Sequence, residues 1–180
     1  HMLARDPAYA EKAAHVSAIA RDVTEVLAEL DLGTPVRRPT ATLAYHSACS
    51  MQHGQKIRAA PKNLLAAAGF AVKDVPEGHL CCGSAGVYNI LQPEIATRLR
   101  DRKVENIART GADLVAAGNL GCLTQIGSGL DRPAVHTVEL LDWAYGGPPP
   151  RDLADDPSLL EAPAAGSPAA SREATPAGAS

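Results

Sequence analysis

Four strand-length apolar runs alternate with segments of helical period, and this alternation constrains the chain more than any other feature. The runs are residues 42–45, 70–75, 113–117 and 134–137. Strands separated by helices cannot pair as tight hairpins, so the pattern predicts a parallel sheet with helices on both faces. Residues 7–30 read as one amphipathic helix with Val16, Ile19, Val23, Val26, Leu27 and Leu30 on a common face, stopped by Gly33 and Pro35. Residues 54–68 read as a second helix, which Pro61 kinks or splits and Gly69 ends. Residues 93–110 carry the clearest signal, with proline at the start, Gly111 at the end, and Ile95, Leu99, Val104 and Ile107 as the apolar face. A short helix over 123–129 and a closing helix over 138–145 complete the expected order. The expected fold class is α/β, a four-stranded, mainly parallel sheet flanked by helices.

A chain of 180 residues suits one domain with room for a tail. Its apolar content of 46% comes mostly from Ala, Leu and Val, which is enough for a core. The net charge of −3, with both signs interspersed, argues against a nucleic-acid surface or an anionic membrane as partner. No apolar run reaches the length of a membrane span and no signal peptide is visible, so a cytoplasmic location is expected. His1-Met2 reads as an expression scar, and the chain is expected to be a piece of a longer protein. Residues 3–146 are the expected folded domain. From Gly147 onward, Pro148-Pro149-Pro150 and a Pro-, Ala- and Ser-rich stretch predict a disordered tail over 147–180, with brief helicity at Leu159-Leu160.

The four cysteines are Cys49, Cys81, Cys82 and Cys122, with 31 residues between the first two and 39 between the last two. Adjacent cysteines bridge each other only in a strained ring, whereas two thiolates on a Gly-containing loop can grip a soft metal or a cluster. In an intracellular-looking α/β chain, ligands are a better reading than disulfides, and buried free thiols are the plain alternative. All three cysteine positions follow predicted strands, where open α/β sheets place their sites. His46 and His53 flank Cys49, as substitute ligands or, in preference, as hydrogen-bonding groups around the centre or loop caps. His79 is weighed in the same way, His136 reads as a packing residue and His15 as exposed. Gly83 and Gly86 allow close backbone approach, and their N–H groups can point at cluster sulfurs. Lys56, Arg58, Arg98, Arg100, Arg102 and Lys103 read as solvated helix faces. No substrate nucleophile or acid–base pair stands out, so no residue is assigned a catalytic role.

The order Cys49, Cys81-Cys82-Gly83, Cys122 resembles the cysteine-rich CCG domain of heterodisulfide reductases. Residues 52–58 (QHGQKIR), 80–86 (LCCGSAG), 91–94 (LQPE), 119–122 (NLGC) and 136–142 (HTVELLD) resemble more closely the iron–sulfur subunits of glycolate oxidase, or glycolate dehydrogenase. The resemblance covers residues 3–146 and implies the second of two cysteine-rich repeats. The ferredoxin-like Cys-x-x-Cys-x-x-Cys region of such subunits does not occur in this sequence. It also implies a flavoprotein partner that oxidises glycolate to glyoxylate, and an electron relay towards a quinone-type acceptor. Association with the inner face of a membrane would then come through partners. The broader pattern ends in Cys-x-x-Cys, but here Cys122-Leu123-Thr124-Gln125 puts Gln125 at the last ligand position. Five cysteines hold the non-cubane cluster of related domains. Four can complete a cubane [4Fe–4S] cluster or a tetrahedral zinc site, and an isolated fragment without either remains open. A structural zinc or metal-free assembly domain is the alternative function, as is the equivalent subunit of a lactate- or glycerol-3-phosphate-oxidising system. A thiol–disulfide enzyme ranks below these, because no Cys-x-x-Cys redox pair is present.

Overall fold

A computed structural model describes residues 2–154 and 157–160. Its centre is a four-stranded, all-parallel sheet in the order β2-β1-β3-β4, built from β1 (Thr42–His46), β2 (Ala71–Asp74), β3 (Leu114–Ala117) and β4 (Ala134–His136). Leu43 pairs with both Val72 and Leu114, and Ala116 pairs with Val135. The β1–β3 register is tied at its start, where the Asp113 carboxylate accepts from the Thr42 N–H at 2.7 Å and its hydroxyl at 2.8 Å. All of β3 is buried on both faces, as a central parallel strand must be. The edge strand β2 is short and half-exposed and carries Lys73, which discourages further strand pairing.

Right-handed crossovers explain where the helices lie. The chain runs from β1 outward to β2 through α3 (Ala60–Ala67), then back across β1 to β3 through α4 (Tyr88–Leu91) and α5 (Pro93–Ala108). It continues to β4 through α6 (Leu120–Gly127) and closes with α7 (Thr137–Ala144). Travel in opposite directions puts α3 on one face and α5 and α6 on the other. Two cores result. Leu43, Tyr45, Leu114 and Ala116 meet Leu64, Leu65, Leu140 and Trp143 on one face. On the other face, Ala44 and Val115 meet Ile107, Ile126, Cys82 and Cys122.

Several elements differ from the sequence expectation. The helix expected over 7–30 is two, α1 (Ala10–Ile19) and α2 (Val23–Glu29). The Asp22 side chain accepts from Thr24 N at 2.9 Å, and Glu25 accepts from Asp22 N at 3.0 Å. This capping box starts a new helix and ends the old one. No residue of α1 is buried, so Val16 and Ile19, expected on a core face, point to solvent. The helix expected over 54–68 starts at Ala60, with Pro61 in its first turn. The chain before it winds as a π-helical turn (Ser50–Gln55) that ends at the left-handed Lys56, φ 63°. Along α5 the buried face is Ala96, Lys103, Asn106 and Ile107, while Ile95 is exposed.

Part of the stretch expected to be a tail from residue 147 packs against the domain. Leu153, in a short 3-10 turn (Arg151–Leu153), and Leu160 are both buried in the first core, and Thr40 N donates to Leu160 O at 3.0 Å. Two well-spaced leucines supply the apolar area that averaging over their Pro- and Ala-rich neighbours conceals. His1, residues 155–156 and 161–180, the rest of that expected tail, lie outside the described residues. Leu153→Ala and Leu160→Ala should each lower stability by about 2–5 kcal/mol, read as a shift in the denaturant midpoint. Unchanged midpoints would mean that this segment does not pack.

Candidate metal centre

The strand order reverses between β1 and β3, because the chain leaves β1 in one direction and returns to β3 in the other. Open α/β sheets bind ligands in the crevice beyond the strand ends at such a point. His46 is the last residue of β1 and pairs with Ala117 at the end of β3. The turn after β1 begins at Cys49. After β3, Asn119 caps α6 and its side-chain oxygen accepts from Cys122 N at 3.0 Å, which sets Cys122 in the first turn of that helix. The third contributor is the loop after β2, which carries Cys81 and Cys82.

That loop is held from two sides. The Gln52 amide donates to Ser47 O at 3.0 Å and to Gly78 O at 3.1 Å, joining the loop after β1 to the turn before Cys81. From α5, Lys103 Nζ donates to Glu77 O at 3.0 Å, Asn106 donates to the Glu77 carboxylate at 2.8 Å, and Arg102 pairs with the same carboxylate. Gly83 has φ 92°, and a Cβ there would lie 2.3 Å from Ala96 O, so only glycine lets the loop lie against α5. Ala85, φ 37°, and Gly86, φ 68°, keep the chain in the left-handed region beside the cysteines. Backbone strain of this kind collects at functional sites.

The three loops enclose a cleft of about 340 Å³ lined by all four cysteines, with Ser84, Gly86 and Asn119 on its walls. All four are free thiols, Cys82 and Cys122 buried and Cys49 and Cys81 half-buried. The Gly83 N–H donates to Cys81 Sγ at 3.3 Å. His46 is 1% exposed, and its donor atom and those of Cys82 and Cys122 all lie within 4.8 Å of one another. Neither ring nitrogen of His46 makes a hydrogen bond of ordinary geometry.

The thiols differ electrostatically. Cys82 is held well below the usual thiol range, at about 4, chiefly because the Cys122 thiol is directed at its sulfur. The His46 imidazole and the Ser84 backbone add to this, against the cost of burial. The proton stays on Cys122, whose pKa rises, first through its contact with Cys82 and then through burial. Burial and the neighbouring Cys81 push Cys49 up to about 11. Lys103 is 1% exposed; burial lowers its pKa, and Cys49, Cys82, Glu77 and Cys81 oppose that shift. A buried cation beside several thiols suits a centre that carries negative charge.

The structure thus brings together Cys49, Cys81, Cys82 and Cys122, with His46 among them and Gly83 acting through its backbone. It leaves out His53, which is exposed with Nε2 3.4 Å from His79 O. Gln125 faces elsewhere: its Oε1 accepts from Asn89 at 3.0 Å and its Nε2 reaches Ala96 O at 3.5 Å, so it ties α6 to α4 and α5. His136 caps α7, its Nδ1 accepting from Val138 N at 3.3 Å. Lys103, expected to be solvated, is the buried clamp. Its place at helical spacing with Ala96, Asn106 and Ile107 was the available signal. Nothing in the spacing of the sequence marks Gln52 as a loop clamp, whereas Asn119 before the apolar start of α6 is a recognisable cap signal.

The model of the CCG cysteine-rich domain matches residues 43–127, from β1 to the end of α6. Over that span the chain is similar to the CCG cysteine-rich domain family. Over 143 residues the chain is 37% identical to the glycolate oxidase iron-sulfur subunit of Escherichia coli K12, covering 79% of this chain and 35% of that protein. It is 32% identical over 157 residues to the probable glycolate oxidase iron-sulfur subunit of Bacillus subtilis, covering 81% and 35%. It is 30% identical over 152 residues to lactate utilization protein A of Bacillus cytotoxicus, covering 79% and 62%. The chain therefore spans about a third of the length of the glycolate oxidase subunits it matches.

Gly83→Ala is expected to cost at least about 1–3 kcal/mol from the left-handed backbone alone, and more from the clash with Ala96 O. A thermal melt unchanged from wild type would refute this packing. Glu77 is held at about 2, below its ordinary 4.5, mainly by Arg102 and then Asn106. A depressed carboxylate contributes stability above its ordinary pKa and loses it as pH falls towards the folded value. Glu77→Gln should flatten the acid limb of the stability profile between about pH 5 and 2, followed by urea unfolding across that range.

Proposed function

We propose that this chain is the electron-transfer module of a glycolate-oxidising complex and holds an iron–sulfur centre on Cys49, Cys81, Cys82 and Cys122. The observation that carries this reading is the convergence of four free thiols from three loops into one cleft at the sheet's switch point. The likeness to glycolate oxidase iron-sulfur subunits supplies the substrate class. The donor set fits such a group: thiolates are soft ligands, one of them is already strongly acidic, and a buried cation stands nearby.

When bound, the cluster supplies a one-electron redox centre. The chain's own residues do the rest. The Gly83 N–H, directed at Cys81 Sγ, and the Lys103 ammonium both favour added negative charge at the sulfurs. Ala48 is buried in the cleft wall, and the half-buried Cys49 and Cys81 lie on the approachable side. Val87, Ile90, Leu91 and Leu120 are 62–75% exposed and belong to the segments that form or adjoin the cleft. An apolar rim of this kind suits a partner subunit, read as the flavoprotein that delivers electrons, with a quinone-type acceptor beyond. Among the described residues no helix is long and apolar enough to cross a membrane. The likeness to lactate utilization protein A supports a second reading, the equivalent module of a lactate-oxidising system.

Anaerobically prepared chain is expected to carry about four irons and four acid-labile sulfides, lost in the Cys81→Ser, Cys82→Ser variant. Zinc without sulfide would turn the reading to a structural site.

A further inference from the structure

Both nitrogens of the His46 ring are buried and neither makes a hydrogen bond of ordinary geometry, although the imidazole lies close enough to Cys82 to favour its thiolate. Such a group costs about 1–3 kcal/mol when left unsatisfied, and an ion held by one of the two nitrogens would remove that cost there. The strand fixes where the ring points. Alternation along β1 sends Leu43 and Tyr45 to the α3–α7 face and sends Ala44 and His46 to the face that holds Cys82 and Cys122.

The spacing of the three donors is informative. With metal–sulfur bonds of about 2.3 Å and metal–nitrogen bonds of about 2.0–2.1 Å, two ligands on one tetrahedral ion stand about 3.5–3.8 Å apart. His46, Cys82 and Cys122 all lie within 4.8 Å of one another, so a side-chain shift of about an ångström closes them on a single ion. The terminal sulfurs of a cube each belong to a different iron and stand farther apart than ligands of one metal. Gln125, at the position where the family pattern has a further cysteine, is engaged by Asn89 and Ala96 O.

We propose that His46 is a direct metal ligand, sharing one ion with Cys82 and Cys122, and that it supplies from the end of β1 the donor that Gln125 does not. This rests on the reading that the cysteine cleft holds a metal centre. The ion accepts one imidazole and two thiolates and is either a lone borderline-soft divalent ion of the zinc type or one iron of an open, non-cubane cluster, because an iron of a cube, with three sulfides, has room for a single protein ligand. Cys49 and Cys81, in the same cleft, remain for the fourth position or for the rest of a cluster.

The test uses the chain with natural-abundance or ¹⁵N-labelled histidine. One arm is loaded anaerobically with ferrous iron and sulfide, the other with cobalt(II) alone. Pulsed EPR of the reduced iron-loaded chain and of the cobalt-loaded chain should show a nitrogen hyperfine coupling that changes with the label and is absent in His46→Ala. Cobalt(II) affinity should fall more than about a hundredfold in His46→Ala, beyond the 10–100-fold loss typical of groups that only support a ligand. His46→Cys should restore affinity without the coupling. Labelled His53→Ala and His79→Ala chains should keep the coupling, which assigns it to His46 even if His46→Ala fails to fold; its loss in either of them overturns the assignment. Uptake of iron and sulfide with no histidine coupling in either arm overturns the ligand assignment and leaves the proposed function standing, whereas uptake of cobalt alone without coupling overturns both. Uptake of neither metal overturns both. Coupling in the iron arm alone assigns the ion to a cluster, and coupling in the cobalt arm alone assigns it to a lone site.

Discussion

The pairing of β1 with β3, with β2 on the far side of β1, is the arrangement on which the rest of the molecule depends. It makes the chain reverse direction across the sheet, and right-handed crossovers then send α3 to one face and α5 and α6 to the other. The reversal leaves a crevice beyond the strand ends that no connection covers. Every cysteine reaches that crevice from a different loop or from the same loop at adjacent positions. The tie between Asp113 and Thr42 sets the register that brings His46 level with Ala117.

Bringing thiols together opposes folding, because ionised sulfurs repel and buried ones lose hydration. The structure offsets this locally. One proton is shared unequally, with Cys82 the acidic partner and Cys122 the protonated one. Lys103 places a positive charge beneath the cluster of sulfurs while its Nζ donates to the Glu77 carbonyl. The same residue is thus both a mechanical clamp on the loop and a source of potential at the site. The Gln52 amide does the corresponding work on the other side, where it bridges two carbonyls that would otherwise have no reason to approach. Metal chemistry at this cleft inherits both effects, since ligand thiolates must be deprotonated before they bind.

Exposure is distributed unevenly around this site. The deep side, with His46, Cys82 and Cys122, is buried; the outer side, with Cys49 and Cys81, is half-exposed. A centre bound there would be anchored from within the domain and approached from one direction. Electron transfer between subunits needs that asymmetry, because the centre must be insulated from water on most sides and close to its partner on one.

Much of this was legible in the sequence. The alternation of apolar runs with helical segments determined the α/β class and the parallel sheet, because local period and the absence of hairpin turns leave little else. The placement of Cys49, Cys81, Cys82 and Cys122 after strands pointed to one end of that sheet. Capping by Asp22, which divides the first helix, was also written locally as Asp-x-x-Glu, but the apolar spacing of Val16 and Ile19 argued for continuity and was the weaker guide. Only the tertiary structure decided which neighbours joined the cysteines. His46 and His53 flank the same cysteine, yet strand alternation buries one against Cys82 and Cys122 while the turn exposes the other. For the same reason Gln125 ties α6 to α4 and α5, and Lys103 is buried against the cysteine loop instead of lying on a solvated helix face. A side chain's partners depend on which elements pack across from it, and this is a property of three dimensions that spacing along one chain does not contain.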